Sequence, residues 1–498
     1  MKPNSITKWM NFEESLFDSQ LNVRSKTELN KRFKNNADLL LKKQSCSWMQ
    51  FLDNYRLSDK AKKNRDDLIS GKAVAVITGQ QPCLLTGPSL VMHKTFTAVS
   101  LCNHLNSIGI RAVPVFWNAS EDHDLSEILR TTFITINNQL DQIRLHASLD
   151  KISAESISWS KDLEEFIQSR PPFAKEISDN GPKKMYSEHF NSLMLNLFAD
   201  DGLLVVEPHW FNDDSKNFWE GVDEKKDDII SSFIKDEKRI IEENKVLQVF
   251  RRNAIPVFKI DKKSGRRTPL KYESGQWSDG LIESTNLINF INSEQRLSPG
   301  ALLRPAYAQN HLPILATVLG PAEMKYHHQN KSMFDVLELP RPLLFPRLGG
   351  TWVSEEIRKN CEVYGINISE LIENGFVADE TSNDEKIFSE KMVRELCDKI
   401  EANHPNLSKF DLTSITKQVK NRTNELSGII ERKLWKAEQK ARGLSVGRMH
   451  KIMNMIKPKG KLQERSICAF SFIKDLGHFK KIQSEFNDCF DNKHRVYS

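Results

Sequence analysis

The sequence predicts an α/β fold, a parallel sheet interrupted by inserted segments and followed by a helical arm. Three observations predict it. Short apolar runs recur along the chain and are bounded by glycine or proline. The first two runs enclose one helix-length segment, so that strand, turn, helix and strand follow within about 45 residues as a βαβ unit. Beyond about residue 365 the apolar residues step mostly by three and four, the period of packed helices.

The elements follow in order. Residues 1–70 read as helical, because Leu39, Leu40, Trp48, Phe51, Leu52 and Tyr55 recur at helical spacing among Lys and Asp. Residues 73–78 form a continuous apolar run, the mark of a strand buried on both faces. A turn from Gly79 to Pro88 leads into a helix over 89–106, and residues 112–117 form the second buried strand. Strands are expected at 131–136 and 203–206, a helix at 186–198, and one long charged helix over 213–246. Residues 256–260 and 268–272 read as a hairpin. The α/β pattern returns with a strand at 314–319, a helix opened by Gly320-Pro321, and a closing strand at 343–346. The expected divisions are a helical region at 1–70, an α/β core at 71–365 with insertions at about 150–290, an arm at 366–460 and a partly helical tail at 461–498. In the arm, Leu412, Ile415, Val419, Leu426, Ile430, Leu434 and Leu444 make a coiled-coil stripe, which Arg422, Gly428, Gly443 and Gly447 weaken. A shorter helix at 384–403 pairs with it across a loop near His404-Pro405.

Bulk properties exclude several classes. With 498 residues the chain exceeds one ordinary core, and 39% hydrophobic against 28% charged residues fits a globular protein with a polar surface. A net charge of +6 is mild at this length; it suits small anionic substrates and gives no reason to expect nucleic acid as a partner. The seven cysteines are scattered, odd in number and never spaced Cys-x-x-Cys, against a disulfide framework or structural zinc. The first residues lack the apolar core of a signal peptide, and no run approaches the roughly 20 apolar residues of a membrane span. A cytoplasmic protein without a membrane partner is expected.

Four stretches can carry chemistry. Open parallel sheets bind ligands at the carboxyl ends of their strands, and Thr78-Gly79-Gln80-Gln81-Pro82 stands at such an end. Gly79 permits close backbone approach, Gln80 and Gln81 offer uncharged donors and acceptors, and Gly87-Pro88 opens a helix whose free N–H groups favour phosphate. A tight turn that merely needs glycine is the plain alternative. Ser120-Glu121-Asp122-His123-Asp124 follows the second strand. His123 can serve as acid or base, and Glu121 and Asp124 can hold a metal or an amine; a solvated acidic helix start is the alternative. Arg304 can grip a carboxylate and Glu323 an ammonium, or each can sit in an ordinary ion pair. Lys461, within the basic segment 457–465, marks a phosphate loop or a helix stop. His327-His328 point in two directions on a helix and make a poor metal pair, so no metal site is expected.

These stretches, in this order, resemble the cysteine ligases of bacillithiol biosynthesis, the BshC family. The resemblance rests on Thr78-Gly79-Gln80-Gln81-Pro82, on Val115-Phe116-Trp117-Asn118-Ala119 running into 120–124, and on Leu302-Leu303-Arg304-Pro305 with Gly320-Pro321-Ala322-Glu323. Phe345-Pro346-Arg347 and Gly460-Lys461-Leu462-Gln463-Glu464-Arg465 complete it. It implies a Rossmann-like core related to class I nucleotidyltransferases and synthetases, inserted connecting regions and a coiled-coil arm that makes a homodimer. It implies the amide coupling of cysteine to glucosaminyl malate, the last step to bacillithiol, with ATP, accompanied by Mg or not, activating the cysteine carboxylate. His123, Asp122 and Glu121 are then the catalytic candidates. Thr78, Gly79, Gln80, Gln81, Gly87, Pro88, Asp124, Arg304, Gly320, Glu323, Arg347 and Lys461 are the binding candidates. Cys83, Asn310 and Leu319 depart from the family pattern, and the His-x-Gly-His and Lys-Met-Ser-Lys-Ser signatures are absent; adenylate and acyl-phosphate routes stay open. The alternatives are a nucleotidyltransferase acting on another small acid and a non-enzymatic coiled-coil scaffold.

Overall fold

The computed structural model describes residues 26–41, 47–135, 139–145, 151–170, 172–178, 184–243, 247, 249, 254–374, 390–403, 409–441, 446–491 and 494–498. Its centre is a five-stranded sheet. We number these strands β1 (Val74–Gln80), β2 (Ala112–Asn118), β3 (Leu204–Val206), β4 (Ile314–Leu319) and β5 (Leu343–Pro346). Every pairing is parallel, and the order across the sheet is β5-β4-β1-β2-β3. The order reverses beside β1, the arrangement that opens a crevice at the carboxyl ends of β1 and β4.

The apolar runs are continuous because the sheet is covered on both faces. Along β1, Val74 and Val76 pack with Ala98, Leu101 and Leu105 of the helix Leu90–Ser107. Ala75 and Ile77 face the other way, into the larger core with Leu84, Phe96 and Val115. All seven residues of β2 are buried.

Between β3 and β4 lies a second, antiparallel sheet built on the hairpin Val257–Asp261 and Arg267–Glu273, flanked by Gln295–Pro299 on one side and Gln276–Ser278 on the other. The single helix expected over 213–246 is two, Lys216–Glu224 and Lys226–Glu242, with Lys225 outside the helical region at φ −97°, ψ 17°. At the break, Asp223 accepts from Trp277 Nε1 at 2.8 Å and from the Leu287 backbone at 3.1 Å. A tertiary demand on Asp223 therefore accompanies the interruption of a locally favourable helix.

In the arm, Glu390–Asn403 lies against the 33-residue helix Lys409–Ala441, which runs unbroken through Arg422 and Gly428. Gly443 and Leu444 of the expected stripe, the loop at 404–408, residues 384–389 and residues 1–25 lie outside the described residues. The tail also holds a strand that periodicity did not predict: Arg495–Tyr497 pairs in parallel with Gly350–Trp352. Among the described residues no helix is long and apolar enough to cross a membrane.

Candidate active site

A cavity of about 320 Å³ opens at the carboxyl ends of β1, β2 and β4. Thr78, Gly79, Gln80 and Gln81 form one wall, Asp122 and Glu127 a second, and Arg304, Glu323 and Tyr326 a third, with Trp117 and Leu319 supplying apolar surface. The fold brings these segments together from both ends of the βαβ unit and from the chain beyond the insertion.

Gly79 is required by a close approach. It lies opposite Trp117 in the β1–β2 register, and a Cβ there would sit 2.6 Å from the Trp117 carbonyl oxygen. Neither strand can give way in the middle of a paired sheet. Gly79→Ala is expected to lower the melting temperature clearly and to deform this wall; a thermal scan matching the parent would show that the strands separate freely.

A lysine that the sequence reading did not select organises the same wall. Lys94, on the helix Leu90–Ser107, is 2% exposed. Its Nζ donates to the Gly79 carbonyl at 2.9 Å, to Gln80 Oε1 at 2.9 Å and to Glu323 Oε1 at 2.7 Å. Burial pushes its pKa down, and Glu323 opposes that by favouring the ammonium. Glu323 also accepts from the Gly320 backbone N–H at 2.7 Å, so it caps its own helix Pro321–His327 while pairing Lys94. Gly320 takes part through this backbone donor.

Asp122 is the most connected carboxylate facing the cavity. It lies 3.9 Å from Arg304 Nη2 and 4.0 Å from Arg267 Nη1, accepts from the His123 backbone N–H at 2.8 Å, and receives the Gln81 amide. Burial pushes its pKa up; Arg304, Arg267 and the hydrogen bonds outweigh this and hold it below the usual carboxylate range. His123 stands beside Asp122 but outside the cavity wall, with Nδ1 3.4 Å from Arg267 Nη1. Burial and then Arg267 push its pKa down, so the imidazole is neutral near pH 7. Glu127, also missed by the sequence reading, lines the cavity, and burial followed by Asp124 and Asp122 raises its pKa.

The remaining candidates sit elsewhere. Glu121 is buried outside the cavity lining, paired with Arg296 and accepting from Ser298 Oγ at 2.6 Å. Asp124 is the exposed N-cap of the short helix Leu125–Ile128. Gly87 takes φ 65°, and a Cβ there would meet the Cys83 Cβ at 2.5 Å. Pro88 precedes the N-cap Ser89 rather than entering the helix, and the Ser89 backbone N–H is taken by the Ile467 carbonyl at 2.8 Å. That helix start is therefore packed against the C-terminal region. Arg347 donates to both oxygens of Glu464, at 2.5 and 3.1 Å, deep in the protein. Lys461 is exposed and lies outside the cavity wall. Of the positions departing from the family pattern, Leu319 lines the cavity, Cys83 is buried and Asn310 is exposed.

Comparison with known families places this architecture. A family model described as the N-terminal Rossmann-like domain of bacillithiol biosynthesis BshC matches residues 10–348, and one described as its C-terminal coiled-coil domain matches residues 350–498. The chain belongs to the BshC family. The BshC relatives include a Bacillus cytotoxicus protein named "Putative cysteine ligase BshC", 28% identical over 452 residues, covering 82% of this chain and 81% of the relative. Proteins with the same name from Staphylococcus epidermidis and Cytophaga hutchinsonii are 24% and 26% identical, over 86% and 87% of this chain and 84% of each relative. The BshC resemblance drawn from the motifs, with its Rossmann-like core and coiled-coil arm, is thus met by both domains of the family.

Proposed function

We propose that this chain is a ligase that joins cysteine to glucosaminyl malate through an amide bond, using ATP to activate the cysteine carboxylate, in the last step of bacillithiol biosynthesis. The observation that carries the reading is the match of the chain to both BshC domains, supported by relatives named as cysteine ligases. The cavity favours it chemically. Asp122 and Glu127 on one wall and Arg304 on another suit a small zwitterion, whose ammonium faces the two carboxylates and whose carboxylate faces Arg304. In the coupling step the sugar amine attacks the activated carbonyl, the phosphate-bearing group leaves with its electron pair, and the amine proton passes to a base. We assign that role to His123, a neutral imidazole beside the cavity-lining Asp122. Lys94 keeps Gln80 and Glu323 in register, a positioning role.

The test is ATP consumption by the purified chain with cysteine and glucosaminyl malate, with bacillithiol followed by mass spectrometry. Product that depends on all three substrates is expected. AMP with pyrophosphate marks the adenylate route, ADP with phosphate the acyl-phosphate route. Folded protein that makes no product, or that adenylates a different acid, overturns the reading.

A homodimer through the arm belongs to the same proposal. Met392, Leu396, Leu426, Ile429 and Leu434 are between 38% and 52% exposed on its two helices, an apolar surface that a second copy can cover. Light scattering is expected to give twice 57.4 kDa, and Leu426→Lys with Leu434→Lys is expected to give the monomer mass. A monomeric parent chain removes this part.

A further inference from the structure

We propose that Glu155, Glu207 and His209, which lie outside the cavity lining, form a binding site for one divalent cation of the first transition row. The three residues come from two regions. Glu155 belongs to the short turn Ala154–Ser156 in the insertion, while Glu207 directly follows β3 and His209 lies in the next turn, Pro208–Asp214. Among the described residues theirs is the one group whose donor atoms all lie within 4.8 Å of one another.

The orientation of each side chain carries the inference. Glu155 gives Oε1 to Arg296, and Glu207 gives Oε1 to Asn191 Nδ2. In both, the second oxygen, Oε2, turns to His209 Nδ1, at 2.8 Å from Glu155 and 3.5 Å from Glu207. Glu155 Oε2 and Glu207 Oε2 thus converge on one imidazole nitrogen as an ion-paired cluster, all three atoms shielded from solvent. Ligand atoms about 2.1 Å from a common ion lie about 3.0–3.4 Å apart in octahedral or tetrahedral shells, which these separations bracket. Carboxylates fixed by one hydrogen-bonded oxygen and presenting the other are what a metal's outer shell provides. The His209 ring is set by edge-on packing against Phe51 and Trp210.

A second observation points to the same place. Ser120, two residues past β2, is fully buried, and its hydroxyl turns to Glu207. The Glu155 backbone N–H donates to the Ser120 carbonyl at 3.0 Å, which fastens the two segments together. Two carboxylate oxygens, one imidazole nitrogen and a nearby hydroxyl suit Zn²⁺ above Mn²⁺ on the usual affinity order. Such an ion would clamp the insertion onto the ends of β2 and β3.

The experiment uses the full chain stripped with a chelator and titrated with Zn²⁺ alone by calorimetry, with thermal scans alongside. One ion per chain is expected, with a rise in melting temperature. Glu207→Gln and His209→Gln are expected to weaken binding at least about 100-fold while keeping the circular dichroism of the parent, and Glu283→Gln, at an exposed position of the antiparallel sheet, to leave it unchanged. The proposal falls if the parent chain takes up no Zn²⁺ at micromolar concentration, the result of an internal ion cluster only. It also falls if both variants keep the parent stoichiometry and affinity. Should the variants fail to fold, Co²⁺ bound to the parent chain decides: oxygen and nitrogen ligation gives no intense thiolate charge-transfer band, and such a band would assign the ion to cysteine and overturn the site.

Discussion

Glu464→Gln is expected to lower the melting temperature by about 3–5 °C, the loss of about 3–5 kcal/mol that follows when one partner of a buried ion pair is neutralised, spread over the unfolding entropy of a 498-residue chain. Glu464 is fully buried and accepts from Arg347 twice, from the Gly350 backbone N–H at 3.0 Å, and meets His93 Nδ1 at 3.0 Å. His93 in turn meets the Tyr497 hydroxyl at 3.0 Å. One carboxylate thus ties the helix Leu90–Ser107, the exit of β5, the strand Gly350–Trp352 and the C-terminal strand into a single cluster spanning both family domains. The substitution leaves Arg347 charged, buried and without its counter-charge. Arg347→Met in the same chain is expected to recover part of the loss, because removing both charges is far milder than removing one. The pH dependence follows the same logic. Burial pushes the Glu464 carboxyl up, but Arg347 and His93 overcome this and hold it well below the usual range. Burial likewise keeps His93 below its ordinary value, against Glu464. Both folded pKa values are depressed, so both groups contribute stability that is present above their unfolded values and lost as pH falls. Thermal scans should show the parent chain weakening from about pH 6.5 for the histidine and below about pH 4.3 for the carboxylate. A Glu464→Gln chain that melts with the parent, at neutral and acid pH alike, would remove this cluster as the fastener between domains.

The contrast between this cluster and the cavity explains what the sequence discloses. The strands β1, β2 and β4 read correctly because parallel strands covered on both faces must be apolar throughout, and short runs such as 314–319 have no other simple meaning. Gly79 and Asp122 were legible as candidates because they stand where such strands end, and both line the cavity. Lys94 was not, since it is one lysine in a helix and acquires its role only when Gly79 and Glu323, 229 positions from Lys94, fold onto it. Arg347 and Glu464 show the reverse case. Their residue types suit ligands, yet a separation of 117 positions in sequence hides that they satisfy each other. Glu155, Glu207 and His209 are likewise brought together only by the fold, and their spacing matches no local metal motif. The strand Arg495–Tyr497 is three residues long, too short for periodicity to register.

Asp122→Asn is the substitution expected to cut deepest into activity, with kcat/KM for cysteine falling about 100-fold, or about 2.7 kcal/mol. Asparagine keeps the size of the side chain and can still accept from the His123 backbone N–H, so the wall keeps its shape. What changes is charge. Arg304 and Arg267 lose the carboxylate between them, and with its oxygen kept on the His123 backbone the new amide turns N–H donors toward Arg304. The cavity gains a full positive charge on the side proposed to face the substrate ammonium, next to a Glu127 whose raised pKa makes it a weaker substitute. The loss should therefore appear mainly as a higher KM for cysteine, with the KM for ATP moving less. A cysteine analogue lacking the ammonium, 3-mercaptopropionate, separates charge recognition from general damage. If Asp122 holds the ammonium, the parent and the variant should use this analogue about equally poorly. The buried Arg267 loses a counter-charge, so the melting temperature should fall, but by less than in Glu464→Gln because Asp122 is only partly buried. A variant with kcat/KM for cysteine within about threefold of the parent would take Asp122 out of substrate binding and leave Glu127 and Glu323 as the carboxylates to test.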